Sequence, residues 1–552
     1  MALNNKSMLF NLLRSSTTAY RPHIHLNLRT LSSSTSSLPD FKNTKTSYSG
    51  LSTLQIFRGW VVLKICSFSP IVNNAEMLLS TSRRVFGDSF IKTLVEPTFF
   101  AHFCAGEGED SIKPTVKWLN DNGVGAILDY AAEADMEEEA ARNEEEEKKT
   151  ATVTGKEYPS ARVYEYKDEM YCDANAEIFY SAVHAVKNVT PEGFAAIKIT
   201  ALGNPQLLER MSSSLVEIRA LFHRMDSDGS GLLTYDEFKK SWSDFFIVDE
   251  ESEIYMKDMF QKFDKSGDGT IDSIEWTTHL KASDTQFLAS KCLHQGPFAQ
   301  AALDAEEVGL VNKMMERCAS IVQLAEDLDV KVMFDAEHSY FQPAIHNIVL
   351  DLQREYNTGS SARVYNTFQM YLNSSERELE RSILLSEREG WHFACKLVRG
   401  AYMVLERQRA VDMNYDSPIH ETLEDTHNCY DNGVETVLGR KDVLDGTSKA
   451  NLLIASHNEE SIHKAISSMK NRNIDRKTGG VAFGQLLGMA DFISFSLGNA
   501  GFQAYKYLPY GPFYEVLPYL VRRAQENSGL LSGGAKERKL MASELMRRVK
   551  PF

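Results

Sequence analysis

Cysteine is scarce in this chain, and the few cysteines are not arranged in pairs. The 552-residue sequence contains seven of them, and no two stand at the CxxC spacing of a zinc or redox motif. They are Cys66, Cys104, Cys172, Cys292, Cys318, Cys395 and Cys429. An odd, dispersed set in a chain of this length indicates reduced thiols, so the sequence argues against a disulfide framework and suggests no zinc site.

Three other signals are also missing. No GxGxxG motif follows a predicted strand, so a Rossmann nucleotide site has no support. A surplus of basic residues is absent, and the net charge of −16 argues against nucleic acid as a partner. The only candidate for a membrane-spanning segment after the N-terminal 39 residues, residues 56–72, is interrupted by Arg58 and Lys64. It is too short and too charged to span a bilayer, and we expect a packed amphipathic helix, with contact to a membrane surface as the open alternative.

Acidic residues are unevenly distributed. The run Glu133–Glu147 carries much of the negative charge and is expected to be a solvated surface loop. The first 39 residues contain no Asp or Glu, although they include basic residues and are rich in Ser and Thr. This composition predicts that residues 1–40 are a mitochondrial transit peptide, with a disordered cytosolic tail as the alternative.

What is present is a series of short apolar runs separated by helix-like stretches. Alternation of strand and helix predicts a parallel sheet, and eight such units fit a (β/α)8 barrel better than the alternative, a doubly wound open sheet. The predicted strands are residues 126–131, 195–200, 330–335, 365–372, 392–398, 451–456, 480–485 and 502–508. We predict a helical arm over 41–123, a barrel over 124–205 and 289–552, and an inserted module over 206–288.

Polar side chains occur within or just after these runs. They are Lys198, Asp335, Gln369, Lys396, His457 and Tyr507. Each alone is more simply explained as a satisfied structural residue. Since chemistry in a barrel lies at the C-terminal ends of its strands, six of them on successive strands indicate one functional mouth.

Two segments of the predicted insertion match the EF-hand calcium loop, which begins with Asp and ends with Glu at position 12. The first runs from Asp226 to Glu237 and the second from Asp264 to Glu275. The expected ligands, by side chain or backbone carbonyl, are Asp226, Asp228, Ser230, Leu232 and Glu237, then Asp264, Ser266, Asp268, Thr270 and Glu275. Leu233 and Ile271, at position 8, are expected to pair the loops. The sequence leaves open whether the pair binds calcium constitutively, as a structural element, or acts as a calcium sensor.

Six motifs in the second half of the chain carry a family resemblance. They are Phe334-Asp335-Ala336-Glu337, Lys396-Leu-Val-Arg-Gly-Ala-Tyr402, Ser456-His457-Asn458, Gly484-Gln-Leu-Leu-Gly-Met489, Tyr507-Leu-Pro-Tyr-Gly511 and Tyr519-Leu-Val-Arg522-Arg523-Ala-Gln-Glu526-Asn527. In this order they resemble the proline dehydrogenases, and the arm before the barrel and the EF-hand insert resemble the mitochondrial branch of that family in animals. The resemblance implies FAD-dependent oxidation of L-proline to pyrroline-5-carboxylate, with electrons passed to ubiquinone. It also implies peripheral association with the matrix side of the inner mitochondrial membrane.

The same resemblance implies roles for individual residues. Lys198, Asp335 and Lys396 match catalytic positions, with Lys198 expected to pair with Asp335. Flavin-contacting positions match Ala336, Gln369, Lys396, Gly400, Ala401, Tyr402, Ser456 and His457. Substrate positions match Lys198, Tyr507, Arg522, Arg523 and Glu526. A planar guanidinium suits the proline carboxylate, and Glu526 stands at helical spacing from the arginine pair.

Two positions bear on finer points of this resemblance. Bacterial relatives carry Arg where this chain has Lys396, which keeps the positive charge but not the planar fork. Hydroxyproline-preferring relatives carry a small residue where this chain has Tyr507, which favours proline as the substrate. The alternatives are a hydroxyproline dehydrogenase and a calcium-binding mitochondrial scaffold built on an inactive barrel.

Overall fold

Eight parallel strands close into a barrel in which each strand neighbours the next along the chain. The computed structural model describes residues 39–131, 166–278, 282–294, 296–440, 450–528 and 534–549. The barrel strands are β1 (Val124–Tyr130), β2 (Phe194–Ile197), β5 (Lys331–Phe334), β6 (Val364–Gln369), β7 (Phe393–Val398), β8 (Ala450–Ala455), β9 (Val481–Leu486) and β10 (Gln503–Tyr510). The (β/α)8 prediction is confirmed, and the open doubly wound sheet is wrong because β1 pairs with both β2 and β10.

The predicted strand positions agree with the observed ones to within a few residues. Buried parallel strands read as nearly continuous apolar runs because helices cover their outer faces. The predicted transit peptide and the acidic run Glu133–Glu147 lie outside the described residues, except for Pro39 and Asp40 at the end of the former.

Short helices precede the barrel and pack partly against it. They are α1 (Thr44–Ser47), α2 (Thr53–Cys66), α3 (Ser69–Asn73), α4 (Ala75–Phe86), α5 (Asp88–Val95), a π-helical turn (Glu96–Phe100), α6 (Ala101–Phe103) and α7 (Glu109–Asp121). After them the chain enters β1, and Ala105 N donates to Pro509 O at 2.9 Å, which ties this arm to the end of β10. No helix among the described residues is long and apolar enough to cross a membrane.

Helices separate the barrel strands, and an inserted module follows β2. The barrel and linking helices are α8 (Glu169–Val189), α9 (Pro205–Met225), α13 (Ala282–Ser290), α14 (Pro297–Ala301), α15 (Ala305–Asp327), α16 (Gln342–Tyr356), α17 (Ser375–Glu389), α18 (Met403–Met413), α19 (Leu423–Gly439), α20 (Glu459–Asn471), α21 (Asp491–Asn499), α22 (Leu517–Ser528) and α23 (Gly534–Val549), with a 3-10 turn at Ile199–Ala201. The module itself contains β3 (Leu232–Thr234), α10 (Tyr235–Phe245), α11 (Glu250–Phe263), β4 (Thr270–Asp272) and α12 (Ser273–Thr278).

The inserted module has its own small core. Strands β3 and β4 form an antiparallel pair in which Leu233 lies opposite Ile271. Both side chains are fully buried, together with Phe238, Trp242 and Phe263 among others. Helix α9 leaves the barrel at Pro205 and continues without a break into this core, so one helix belongs to both parts.

Candidate active site

The interior of the barrel changes from apolar to charged along its axis. Ile127, Phe194, Met333, Ala394 and Tyr505 belong to one buried cluster contributed by different strands. Side chains on a strand alternate between its two faces, so the residue two positions later points inward again. Those later residues, towards the C-terminal ends of the strands, include Asp129, Lys198 (two after Ala196), Asp335, Lys396 and Tyr507. Five strands thus bring charged or hydroxyl groups to one mouth of the barrel, at the C-terminal ends of the strands. The barrel interior below them is apolar.

Asp335 is the centre of this group. Its Oδ1 accepts from Lys396 Nζ, and its Oδ2 accepts from Tyr507 Oη at 2.5 Å. The Lys396 and Asp335 side chains are only 7% and 13% exposed, so the ion pair is largely dry. Burial acts to raise the pKa of Asp335, but the charges of Lys396 and Lys198 and these two hydrogen bonds hold it below its ordinary value. The site therefore keeps Asp335 ionised.

The partner of Lys198 corrects the sequence prediction. We expected an ion pair between Lys198 and Asp335, whereas Lys396 binds Asp335 and Lys198 Nζ lies 3.3 Å from Asp129 Oδ1. Lys198 still contributes to the ionisation of Asp335 through its charge. Burial raises the pKa of Asp129, opposed by Lys198. The mouth thus holds two carboxylates and two ammonium groups that neutralise one another.

Asp129 was missed in the sequence because it stands inside an apolar run. Its position two residues after the inward-facing Ile127 was the signal that could have found it. Glu337 was likewise quoted in a motif but given no role. It is 5% exposed and accepts from Thr200 N at 3.2 Å and Thr200 Oγ1 at 2.5 Å, which joins the turn after β2 to the loop after β5.

Gln369, at the end of β6, has one satisfied and one unsatisfied amide atom. Its Nε2 donates to Glu337 O at 2.6 Å and to Tyr371 Oη at 2.8 Å. Its Oε1 is buried and has no hydrogen-bond partner among the described residues. A buried acceptor without a donor is costly, which favours a ligand N–H as the missing partner.

A guanidinium that the sequence did not single out lies three residues after Lys396. Arg399 stacks over the Tyr430 ring at 4.0 Å and donates to Ser456 Oγ at 2.9 Å and Ser461 Oγ at 2.8 Å. Ser456 Oγ also accepts from Asn458 N at 3.0 Å, so Ser456 is fixed from two sides. Arg399 therefore provides nearby the planar guanidinium group that a lysine at position 396 cannot provide, and this group points towards the end of β8.

His457 follows Ser456 and is held in a neutral form. Its Nε2 accepts from Leu486 N at 3.1 Å, so this ring nitrogen carries no proton. Burial, together with the charges of Lys506, Arg523 and Arg399, lowers the pKa of His457 to about 3. Arg523 comes from helix α22, so that helix faces the same region as the end of β8.

In the loop after β7, the groups available to a ligand are mainly backbone atoms rather than side chains. Gly400 has φ +83°, a left-handed conformation that favours glycine, and a Cβ there would meet only Met403 Sδ, at 4.0 Å. Ala401 is exposed, while Tyr402 is half-buried with its ring 4.4 Å from that of His338. Ala336 is half-buried directly after Asp335. The predicted flavin positions on this side thus present accessible groups beside the ionised cluster.

Helix α22 carries the predicted substrate arginines. Arg523 is 12% exposed, donates to Glu526 Oε1 at 2.5 Å and lies 5.0 Å from the Tyr519 ring centroid. Burial acts to lower the pKa of Arg523, but Glu526, Tyr519, Tyr402 and Tyr507 together raise it. Burial and the charge of Arg523 lower the pKa of Arg522 to about 10, opposed by Glu526 and Asp129. Both arginines interact electrostatically with groups of the barrel mouth, so the expected substrate residues converge on one region.

The first predicted calcium loop is closed by its own hydrogen bonds. Asp226 Oδ2 accepts from Gly231 N at 2.9 Å, and Asp228 Oδ1 accepts from Ser230 N at 2.9 Å. Leu232 O accepts from Ser230 Oγ at 3.0 Å. Glu237 instead caps its own helix, because Oε2 accepts from Thr234 N and Oγ1.

The second loop is similar, and its last carboxylate, Glu275, also caps the following helix because its Oε2 accepts from Asp272 N at 3.1 Å. Asp264 accepts from Gly267, Asp268 and Gly269 N, and Asp268 Oδ1 accepts from Thr270 N at 2.8 Å. Glu275 Oε1 reaches across the loop to Ser266 N at 3.2 Å. Over the described part of the chain, no three His, Cys, Asp or Glu side chains are arranged so that they could hold a metal ion.

Comparison with known families identifies the chain. The family model described as proline dehydrogenase matches residues 112–534, which include every strand of the barrel and helix α22. The chain belongs to the proline dehydrogenase family.

Several curated relatives match this proline dehydrogenase family member along most of its length. "Proline dehydrogenase 1, mitochondrial" of Caenorhabditis elegans is 37% identical over 549 residues, covering 92% of this chain and 88% of the relative. The human protein of the same name is 35% identical, covering 93% and 90%. "Hydroxyproline dehydrogenase" of Xenopus laevis is 29% identical, covering 90% and 88%.

A solved structure supports the fold. Proline utilization A from Bdellovibrio bacteriovorus, in a form inactivated by N-propargylglycine, superposes with a TM-score of 0.53 at 15% identity. The match covers 93% of this chain but 41% of that protein, so the chain spans about two fifths of the length of this structural relative.

The neutral His457 predicts how stability changes with pH. Its pKa is depressed from 6.5 to about 3, so its contribution is fully present above pH 6.5 and is lost as the pH falls towards 3. Each pKa unit corresponds to about 1.4 kcal/mol of unfolding free energy. In His457→Asn the loss of stability between pH 6.5 and 4 should be smaller than in wild type, as measured by urea unfolding at stepped pH.

The exposed His294 supplies the control for that experiment. His294→Asn should retain the wild-type pH dependence. Identical slopes for wild type and His457→Asn would contradict a neutral imidazole with a depressed pKa at the end of β8.

Proposed function

We propose that this protein is an FAD-dependent proline dehydrogenase that oxidises L-proline to pyrroline-5-carboxylate. The observation that carries the proposal is the convergence of Asp335, Lys396, Lys198 and the arginines of α22 on one mouth of the barrel. Membership of the family and the names of the most similar relatives give the reaction class. The reaction removes a hydride from the ring carbon next to nitrogen and one proton from that nitrogen, which leaves a C=N bond.

The residues at the mouth fit a flavin. Gln369 Oε1 is a buried acceptor that lacks a donor, and a flavin ring offers N–H groups. We infer that Gln369, Lys396, Ala336, the Gly400-Ala401-Tyr402 backbone, Ser456 and His457 hold the cofactor. FAD, when bound, supplies the hydride acceptor for the oxidation. Lys396 places a positive charge at the site, and Arg399 fixes the orientation of Ser456.

The substrate is a small zwitterion, and the site offers charges for both of its ends. Arg522 and Arg523 supply guanidinium groups for the carboxylate, and Glu526 orients Arg523. Asp335 stays ionised because Lys396 and Lys198 stabilise its charge. The Tyr507 hydroxyl donates a hydrogen bond to Asp335, and its ring fills the space beside that residue. We therefore propose that Tyr507 forms the part of the pocket wall that faces the proline ring.

An anaerobic titration of the purified protein with L-proline tests this function. The protein should be yellow, and proline should bleach the flavin absorbance band. Arg523→Met should raise the proline concentration needed for half-bleaching at least about tenfold, because it removes a charge-assisted hydrogen-bond donor to the carboxylate. Arg440→Met, at the half-buried residue directly after α19, is the matched control and should behave as wild type.

A colourless protein that binds only calcium would overturn the enzymatic proposal. It would favour the second candidate, a calcium-binding scaffold on an inactive barrel. The retained pairs Lys396–Asp335 and Lys198–Asp129 speak against that candidate, since buried charges are costly to keep without a role.

Tyr507 argues against the alternative that the enzyme is a hydroxyproline dehydrogenase. Its hydroxyl lies 2.5 Å from Asp335, and its ring lies 5.5 Å from Lys396 Nζ, so the side chain is fixed across the mouth. A hydroxyl on the substrate ring needs room that this side chain occupies. We therefore propose that the enzyme prefers proline to 4-hydroxyproline.

Tyr507→Ser should shift this preference. Removing the ring opens space, so kcat/KM for 4-hydroxyproline should rise relative to that for proline by about tenfold or more, the size of one small-group discrimination. Assays of both substrates with wild type and variant measure the ratio. Tyr130→Ser, on a tyrosine at the end of β1, is the control and should leave the ratio unchanged. An unchanged ratio in Tyr507→Ser would refute the assignment of Tyr507.

We further propose that the module after β2 is an EF-hand pair that binds calcium through Asp226, Asp228, Ser230, the Leu232 carbonyl and Glu237, and through Asp264, Ser266, Asp268, the Thr270 carbonyl and Glu275. The pairing of Leu233 with Ile271 and the positive φ of Gly231 and Gly269, at position 6 of each loop, support it. Glu237 must leave its capping bond to act as a bidentate ligand.

Chelation tests the calcium proposal. Calcium should raise the unfolding temperature of the module by several degrees relative to excess EGTA, because a ligand that binds only the folded state stabilises it. The double variant Glu237→Gln/Glu275→Gln should lose the shift, as monitored by scanning calorimetry. Asp236→Asn, which changes the exposed neighbour of Glu237, should retain it. A wild-type protein with the same unfolding temperature in calcium and in EGTA would exclude calcium binding.

The mitochondrial names of the relatives and the acid-free N-terminal segment support import into mitochondria. We propose that the enzyme works on the matrix side of the inner membrane as a peripheral protein and passes its electrons to ubiquinone.

A further inference from the structure

The two carboxylates at the barrel mouth differ in how their oxygens are occupied. Asp335 has both oxygens engaged, because Oδ1 accepts from Lys396 Nζ and Oδ2 accepts from Tyr507 Oη at 2.5 Å. Asp129 is 4% exposed, and its Oδ1 lies 3.3 Å from Lys198 Nζ. Its Oδ2 has no hydrogen-bond donor among the described residues. We propose that Asp129 is the base that accepts the ammonium proton of the substrate, and that Asp335 is the fixed negative charge beside it.

The proton transfer follows from the chemistry of amine oxidation, so this inference rests on the proposed function. A protonated nitrogen has no lone pair from which to form a C=N bond. The N–H bond of the ammonium therefore breaks first, its electron pair stays on nitrogen, and the proton forms an O–H bond on Asp129 Oδ2. The adjacent C–H bond then breaks, its electron pair leaves as hydride to the flavin of the proposed function, and the nitrogen lone pair forms the C=N bond. The product leaves as a protonated imine, and Asp129 returns its proton to water.

The position of Asp129 suits this role. Strand β1 lies between β2 and β10, so Asp129 stands between Lys198 and Tyr507. Its charge also reaches α22, where it opposes the lowering of the Arg522 pKa that burial and Arg523 cause. In proline the nitrogen and the carboxylate are attached to the same carbon. A base close to the arginines therefore faces the nitrogen once they hold the carboxylate.

Electrostatics separate the two acids further. Burial raises the pKa of Asp129, opposed by the charge of Lys198. Burial also acts to raise the pKa of Asp335, but Lys396, Lys198 and the two hydrogen bonds hold it below its ordinary value. The acid with the higher pKa holds a proton better, which makes Asp129 the better acceptor. The groups that interact electrostatically with Asp129 come from several elements: Lys198 after β2, Asp335 after β5, Lys396 on β7, Tyr507 on β10, Tyr519 and Arg522 on α22, and Cys104 after α6.

The pH profile of anaerobic flavin reduction by proline tests the proton transfer. At pH 7, Asp129→Asn should reduce the flavin at least about a hundredfold more slowly than wild type, which is the contribution of one positioned base. This deficit should shrink as the pH rises towards the pKa of the proline ammonium, because solvent then removes the proton. Asp129→Glu keeps a carboxylate and should recover part of the rate at pH 7. A purely structural role would slow the reaction by the same factor at every pH.

A substrate analogue examines Asp129 without turnover. Tetrahydrofuran-2-carboxylate has a ring oxygen, which only accepts hydrogen bonds, in place of the ammonium. In wild type its affinity, followed by perturbation of the flavin absorbance, should rise as the pH falls and Asp129 gains a proton that it can donate. In Asp129→Asn, Lys198 holds the amide oxygen and the NH2 group faces the ligand. The variant should therefore bind the analogue about fivefold more tightly than wild type at pH 7, which is the effect of one hydrogen bond.

Asp121→Asn is the matched control. Asp121 is an exposed aspartate that pairs with Lys117 at 3.0 Å, and it precedes β1 at the opposite end of the strand. This variant should keep the wild-type rate and the wild-type affinity for the analogue.

Several outcomes would overturn the assignment of Asp129. They are an equal rate in wild type and Asp129→Asn at pH 7, a deficit that does not change with pH, and wild-type binding of the analogue that is independent of pH. If proline bleaches the wild-type flavin and Asp129→Asn is unimpaired, Asp129 alone is rejected. A wild type that proline does not bleach would reject the proposed function, and this inference with it.

Discussion

The buried ion pair between Lys396 and Asp335 is the interaction on which the candidate site depends. It joins two strands that are not adjacent in the barrel, above an interior that is otherwise apolar. Removing one partner of such a pair leaves an uncompensated buried charge, at a cost of about 3–5 kcal/mol. The hydrogen bond from Tyr507 and the nearby charge of Lys198 complete the compensation, so two further strands take part in keeping Asp335 ionised. The geometry of the mouth is therefore set cooperatively, and it holds a fixed pattern of charge for a ligand.

The fold was readable from the sequence because each strand is buried on both faces and appears as a short apolar run between amphipathic helices. The ends of these strands were less certain, since the polar residues that follow them belong to the site and interrupt the run. Lys198 illustrates this: the strand β2 ends at Ile197, while the prediction continued to Thr200. The turn after β2 is tied down by Glu337, a contact between segments far apart in the chain.

The sequence singled out several of the residues that the structure brings to the mouth, but it did not give their pairing and it missed others. Strand β2 lies between β1 and β5, so Lys198 stands between Asp129 and Asp335, and only the register of the strands decides which acid it binds. Asp129 was not predicted because a single acidic residue within an apolar run looks like an isolated exception to the strand pattern. Arg399 was concealed because its partners, Ser456 and Ser461, come from the next strand and helix. Such contacts depend on closure of the barrel, which no local pattern contains.

The central claim, that Asp335 and Lys396 act as one electrostatic unit at the proposed flavin site, is tested most directly by a double-mutant cycle. The measurement is the rate of anaerobic flavin reduction by proline in wild type, Asp335→Asn, Lys396→Met and the double variant. We expect each single change to slow reduction strongly and the double variant to be no slower than the slower single one, because the second change removes a charge already left without its partner. Effects that simply multiply in the double variant would contradict the account.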